Sequence, residues 1–444
     1  MPTQSQELEN KIAQYELAVV KGNAARRSVG RAGLLMAAVL QTFFLIWLFG
    51  HGRDAVCLRI CLPDTWDYVS AAQSILHEDR LPPGMYRSIG YPLFLTVPFW
   101  LGGEQYGYHL AIVMQSVLNL LGTLLFWKLL VAILPQIRTA VVMASAASSG
   151  ASFGLALNVL SDFLFGVLML VFLYASWLKR GPWWLAVSAS ALLAAGLTRI
   201  TFGPFLLLLP LIKTLVQRRG HYLPTTSMGV YAVAIVISSG ANFALENSRA
   251  EHCSESYKAF AMQVAVSEKG IATMAEIALR IEELIGRPYD QLNRHERDTV
   301  SRRVFIEYVL SHPVRFMSCI ALNAMKYMLS PVDVVIKMAA ADLEHNEAFA
   351  RSPVRGIVLL LGLPIWVLAL WPGLARRPET RDLYFFALIM TSYFIGFGSV
   401  FAGAGERLRF PALPMLLVCF TCSLERFVDW VNTRVIRHRH NGVS

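Results

Sequence analysis

Two carboxylates and a phenol stand at i, i+3 and i+4 in the stretch P-D-T-W-D-Y: Asp64, Asp67 and Tyr68. On a helix these three share a face, so one carboxylate could hold an acceptor hydroxyl and take its proton while the other tunes its charge. The spacing equally suits a simpler duty, with Asp64 as an N-cap and Asp67 as a first-turn acid favoured by the helix dipole. Capping does not exclude catalysis. Arg87 follows in Y-R-S-I-G-Y-P-L-F-L, where Gly90 and Pro92 are expected to bend the chain into an apolar, membrane-hugging segment. A guanidinium at head-group level can bind a phosphate through paired hydrogen bonds, or simply snorkel to phospholipid. Arg199, and Glu406, Arg407 and Arg409 in G-E-R-L-R-F-P-A-L-P, are further charges beside apolar blocks. Such groups usually pair, line a cavity or bind substrate, and an ion pair of Glu406 with Arg409 within one helix is the structural alternative. Ser161 and Asp162 open another apolar block, where capping is the simpler reading. His312, Asn323 and Lys326 carry less weight, because a lone polar residue on an interfacial helix ordinarily faces water.

The elements that must position these residues follow from composition. Of 444 residues, 55% are hydrophobic and 16% charged, with a mean hydropathy of +0.48. The apolar residues come in blocks of about 18 to 25, the length of a helix crossing a hydrocarbon layer. Phe163 to Leu173 and Phe205 to Leu211 carry no polar side chain, which excludes the alternating pattern of an outer-membrane barrel. The sequence therefore predicts an all-α polytopic membrane protein and excludes a soluble enzyme. About ten spans are expected, near 33–50, 107–133, 139–158, 160–178, 183–198, 200–215, 226–245, 355–372, 383–402 and 407–425.

The net charge of +10, from 40 basic and 30 acidic residues, sits largely beside these blocks and reflects orientation rather than nucleic-acid binding. Residues 1–32 form a polar, basic cytoplasmic segment ahead of an uncleaved first span. Alternation from there puts Arg138, Lys179, Arg180, Arg218, Arg376 and the basic tail 429–444 on the cytoplasmic side. Two long segments then face the periplasm or exterior. Residues 51–106 form the outer loop of an N-terminal transmembrane module, 33–245, and carry the juxtamembrane helices. Residues 246–354 hold a small helical insert, patterned by Ile277, Ile281, Leu284 and Ile285, and an interfacial helix over 312–330. The C-terminal spans occupy 355–428. The six cysteines lack zinc-like spacing; Cys57, Cys61 and Cys253 lie outside, where one disulfide or reduced thiols are equally compatible.

Taken in order, these motifs resemble the polytopic GT-C glycosyltransferases, which take sugar from a polyprenyl phosphate and include protein O-mannosyltransferases and aminoarabinose transferases. The resemblance runs from the acid and tyrosine of the first outer loop (Asp64 to Tyr68) through R-x-x-G-Y-P-L-F-L (Arg87 to Leu95) and the S-D opening (Ser161, Asp162). It continues in G-L-T-R (Gly196 to Arg199), H-P (His312, Pro313) and E-R-x-R-x-P-x-x-P (Glu406 to Pro414). One departure is Asp64-Thr65, where several relatives carry Asp-Glu. The second acid is then missing or supplied by Asp67; some relatives use a divalent cation and others do not, and too few carboxylates cluster here to require one.

The resemblance implies that Asp64 deprotonates the acceptor hydroxyl, with Asp67 the fallback. Arg87, Arg199, Arg407 and Arg409 hold the donor phosphate, and Tyr68, Tyr91, Asp162 and Glu406 line the pocket. The implied partners are membrane lipid, a polyprenyl-phosphate-linked sugar donor, and a glycan, lipid or protein acceptor at the outer face of the inner membrane. A transporter or flippase of lipid-linked glycans is the alternative, but it requires charges and helix breaks near mid-bilayer. The candidate charges here gather at one face. A scaffold without chemistry is the third reading, in which neutralising the arginines costs only stability.

Overall fold

The computed structural model describes residues 63–78, 88–133, 161–178, 181–199, 225–248 and 270–329. It also describes scattered positions within 32–50, 205–210, 262–267 and 385–433. Every regular element among these residues is helical, in agreement with the all-α class. Spans expected near 139–158, 355–372 and 407–425 fall wholly or almost wholly outside the described residues, and those near 33–50, 200–215 and 383–402 are touched only at single positions.

Helix α1, Pro63–Glu78, begins with proline, whose missing N–H costs nothing in a first helical turn. Thr65, Tyr68, Val69 and Ala72 are buried while Trp66 and Ser70 are exposed, so the 3.6-residue period selects a single face. That face packs on α2, Gly90–Ile133. Straight helix would hold Tyr91 and Gln115 about 36 Å apart, yet the Tyr91 hydroxyl donates to Gln115 Oε1 at 2.6 Å. The chain reverses at Gly103, whose φ of 58° and ψ of −164° suit glycine, and α2 is a helical hairpin. At its tip, a Cβ on Gly107 would lie 2.4 Å from the Phe99 ring, so a larger residue there would force that ring to shift. The apolar segment begins at Gly90, as expected, with Pro92 in its tolerant first turn; the reversal at Gly102 and Gly103 is a second feature that the sequence pattern does not anticipate.

Helices α3 (Ser161–Leu178), α4 (Pro182–Thr198) and α5 (Thr225–Ser248) pack in sequence on the return arm of α2. Leu118 packs near Leu164, and Gly122 lies beside Val167 and Leu170, so the return arm and α3 run parallel. Tyr174 meets Trp184 near one end and Arg199 meets Phe165 near the other, so α4 opposes α3. Ser188 bonds Tyr231 at 2.8 Å and Asn242 bonds Gly196 at 2.8 Å, so α5 runs parallel to α4. Among the described residues, Gly90–Leu129 is the one stretch long and apolar enough to cross a membrane. After the reversal its return arm keeps about 30 residues, or about 45 Å of helix. On α5, Val230, Val233, Val236 and Ile237 are exposed while Tyr231, Ala234 and Ile235 are buried.

Residues 270–329 form α6 (Met274–Ile285), a 3-10 turn at Tyr289–Gln291, α7 (Arg294–Ser311) and α8 (Pro313–Leu329). Ile277, Ile281, Leu292, Val300 and Val304 build their core. Thr273 with Glu276, and Asn293 with Glu296, form reciprocal capping boxes that start α6 and α7. Gly286, left-handed at φ 75°, ends α6. Arg297 is buried, its Nε donating to the Leu292 carbonyl at 2.9 Å and its guanidinium lying over Tyr289. Beyond this core Leu310, Val314, Met317 and Leu322 are exposed, from the end of α7 into α8.

The capping boxes make a testable feature. Bonds from the Thr273 and Asn293 backbone amides hold the Glu276 and Glu296 carboxyls below their ordinary value of 4.5. A value lowered by folding means that these carboxylates stabilise the helices at neutral pH. That contribution fades as pH falls below 4.5 through the folded values. Thr273→Ala and Asn293→Ala should each cost about 1 kcal/mol locally, and amide-exchange protection over residues 274–311 should drop on acidification. Protection that stays flat under acid would contradict the capping account.

Candidate functional site

The elements carrying the motifs converge at one end of the bundle. Tyr68, from the buried face of α1, places its hydroxyl 2.8 Å from Ser161 Oγ at the start of α3. Its ring meets Tyr91 edge-on with centroids 4.9 Å apart, and Tyr91 is in turn tied to Gln115. Thus α1, both arms of α2, and α3 are locked at one level by two phenols whose polar ends are satisfied, as buried tyrosines require. Two parts of the 51–106 segment, the acidic helix and the G-Y-P motif, therefore touch through Tyr68 and Tyr91.

Gly90 closes the arrangement from the side of α4. A Cβ there would stand 2.7 Å from the Leu197 carbonyl carbon, 2.8 Å from Thr198 N and 2.9 Å from Leu197 O. Glycine is needed for close approach of backbones, a role distinct from the bend assigned to it. Arg199 is the next residue after Thr198. It caps α4 in extended conformation, with its N–H donating to the Ala195 carbonyl at 3.1 Å. Its guanidinium lies over Phe165, 5.7 Å from the ring centroid, and so faces the first turns of α3. A cation here gains both from the ring and from the negative end of the α4 dipole. Tyr393 lies within electrostatic reach of Arg199 and meets Phe205 at 6.3 Å, which brings residues of the C-terminal part to this side of the bundle.

The site residues expected from sequence divide accordingly. Tyr68, Tyr91 and Arg199 are brought to one end, and Asp67 is half-buried one residue before Tyr68. Asp64 and Asp162 occupy the first turns of α1 and α3; their backbones are described and their side chains are not. Asp64 precedes Tyr68 by one helical turn, and Asp162 adjoins the Ser161 that Tyr68 bonds, so the backbones carry both acids to this region. Arg87, Glu406, Arg407 and Arg409 lie outside the described residues, as do Cys57, Cys61 and Cys253. Tyr68 and Tyr91 are buried with hydroxyls bonded to protein, so both phenols tie helices together at this level. His312 ends α7, its N–H donating to the Tyr308 carbonyl at 3.1 Å.

Thr65, in the position of the second acid, is fully buried in the packed face of α1. Among the described residues no group of three His, Cys, Asp or Glu side chains stands close enough to hold a metal. Gln115 was missed from the sequence, although a glutamine within an apolar span is a signal of a buried partner. No family model, curated protein or solved structure matches this chain.

Proposed function

We propose that the chain is an integral membrane glycosyltransferase of about ten spans, working at the periplasmic or exterior face on a polyprenyl-phosphate sugar. The supporting observation is convergence: the acidic helix, the G-Y-P arm, the S-D opening and the G-L-T-R end, far apart in sequence, meet through the Tyr68–Ser161 bond and the Gly90 contact with α4. Exposed valines along α5 and the exposed apolar residues of α8 suit a chain whose outer surface meets lipid.

In the proposed reaction Asp64 takes the proton of an acceptor hydroxyl as its oxygen attacks the anomeric carbon from the side opposite the phosphate. The new bond joins acceptor oxygen to that carbon, the bond to the phosphate oxygen breaks, and configuration inverts. Polyprenyl phosphate leaves with an added negative charge. Arg199, with Arg87, Arg407 and Arg409 as its proposed companions, stabilises that charge as it develops, and therefore stabilises the transition state more than the bound donor. The fixed guanidinium over Phe165 fits this role because it need not reorganise during reaction. The chemistry needs no metal in this scheme, and every step falls to side chains of the chain itself.

Lipid extracts of cells lacking the protein should accumulate a polyprenyl-phosphate sugar, and an envelope polymer should lose a matching sugar by mass spectrometry. With that lipid supplied in liposomes, purified protein should release polyprenyl phosphate and label the acceptor. Movement of the intact lipid across the bilayer, with the sugar–phosphate bond uncut, would replace this reading with a flippase.

A further inference from the structure

Helix α4 ends at Thr198, and its last carbonyls have no helical donor beyond that point. The Arg199 N–H reaches back to Ala195, and the next carbonyl, that of Gly196, is taken by a residue of a different helix: Asn242 Nδ2 of α5 donates to it at 2.8 Å. Asn242 is 4% exposed, and its Oδ1 is buried with no hydrogen-bond partner among the described residues. An acceptor left without a donor in a buried setting destabilises the fold. Leucine would fill nearly the same volume without that cost, so the side chain is explained by what its N–H does. The same turn is also met by Gly90, which stands close against the Leu197 and Thr198 backbone. The last turn of α4 is therefore held by two elements, α5 and the start of α2, and Arg199 is the residue it presents.

We infer that Asn242 is a positioning residue for Arg199. By closing the Gly196 carbonyl it fixes the height and rotation of the α4 end, and with them the path of the guanidinium toward Phe165 and the start of α3. The inference rests on the reading of Arg199 as a phosphate ligand only for its effect on binding; the clamp itself is a matter of α4 and α5.

The probe is polyprenyl phosphate, titrated against the full chain in nanodiscs, with amide exchange recorded on the same samples. Asn242→Leu should speed exchange across Ala195–Arg199 while leaving the first half of α4, Leu185–Ser188, unchanged. It should also weaken the probe by about tenfold, a change of about 1.4 kcal/mol. Arg199→Ala should weaken it at least as much, and the double variant should be no worse than Arg199→Ala alone, because the two act through one contact. Asn242→Ala, which removes the same donor, serves if the leucine variant fails to insert, with the same local loosening expected.

Unchanged exchange at the α4 end would overturn the inference, as would additive losses in the double variant. Faster exchange there with affinity intact in both single variants would uphold the clamp while removing Arg199 from the phosphate site, and so would count against the donor reading alone.

Discussion

Asp64→Asn should abolish sugar transfer, by at least the 10²- to 10⁴-fold commonly contributed by a positioned general base, while insertion and polyprenyl phosphate affinity stay near those of the parent chain. The substitution keeps shape and hydrogen-bonding reach and removes the ability to accept a proton, which separates base chemistry from packing. By register Asp64 stands one turn before Tyr68, whose hydroxyl is bonded to Ser161 where α3 begins. Asp67 falls on a neighbouring line of the helix and is half-buried, so Asp67→Asn should cost transfer far less. Single-turnover assays with saturating donor decide between them. Full activity in Asp64→Asn with loss in Asp67→Asn would move the base by three residues, and full activity in both would remove it from α1.

Gly90→Ala should be nearly as damaging for a different reason. The three atoms that a new Cβ would meet, at 2.7 to 2.9 Å, all belong to the Leu197–Thr198 backbone, and none can rotate aside. Either the first turn of α2 or the last turn of α4 must shift. Overpacking of this kind typically costs about 1 to 3 kcal/mol, which a large bundle can survive. A displacement near 1 Å at a reacting centre can cost about 10²-fold in rate. The expected result is a folded, inserted protein with weakened donor binding and transfer reduced by about two orders of magnitude. Gly122→Ala supplies the comparison, since its nearest neighbour is the Val167 Cγ2 at 3.6 Å, an ordinary contact. Equal behaviour of the two variants would mean that the fit of α2 on α4 is not what matters.

How far sequence could lead is clear from these same residues. Hydrophobic period alone located the Ile277 and Ile281 core of the insert, because one helix side must be apolar wherever it packs, whereas the face of α1 that carries Tyr68 reads in sequence as a face for chemistry and is buried against α2 and α3. The reversal inside α2 was not legible in the same way. Gly102 and Gly103 interrupt a long apolar run, and composition cannot distinguish a loose span boundary from a hairpin tip until Phe99 is seen against Gly107. Contacts between helices were hidden further still. Gly90 read as a bend because glycine serves both turns and close approach, and Asn242 gave no sign at all, being one polar residue among several near the end of its helix. The order of motifs pointed to a shared locality, while the bonds that create it required the positions of four helices at once.

The parallel course of α4 and α5 has a consequence for biogenesis. Parallel neighbours cannot be joined by a tight turn, so α4 leaves the ribosome well before the partner that completes it. The carbonyl of Gly196 must wait for an amide 46 residues downstream, and the cationic corner beside it acquires its final form only when the later helix arrives. Completion of this corner is thus a late event of folding, and nascent chains halted after α4 should display a frayed terminus at Leu197 to Arg199 that longer chains have sealed.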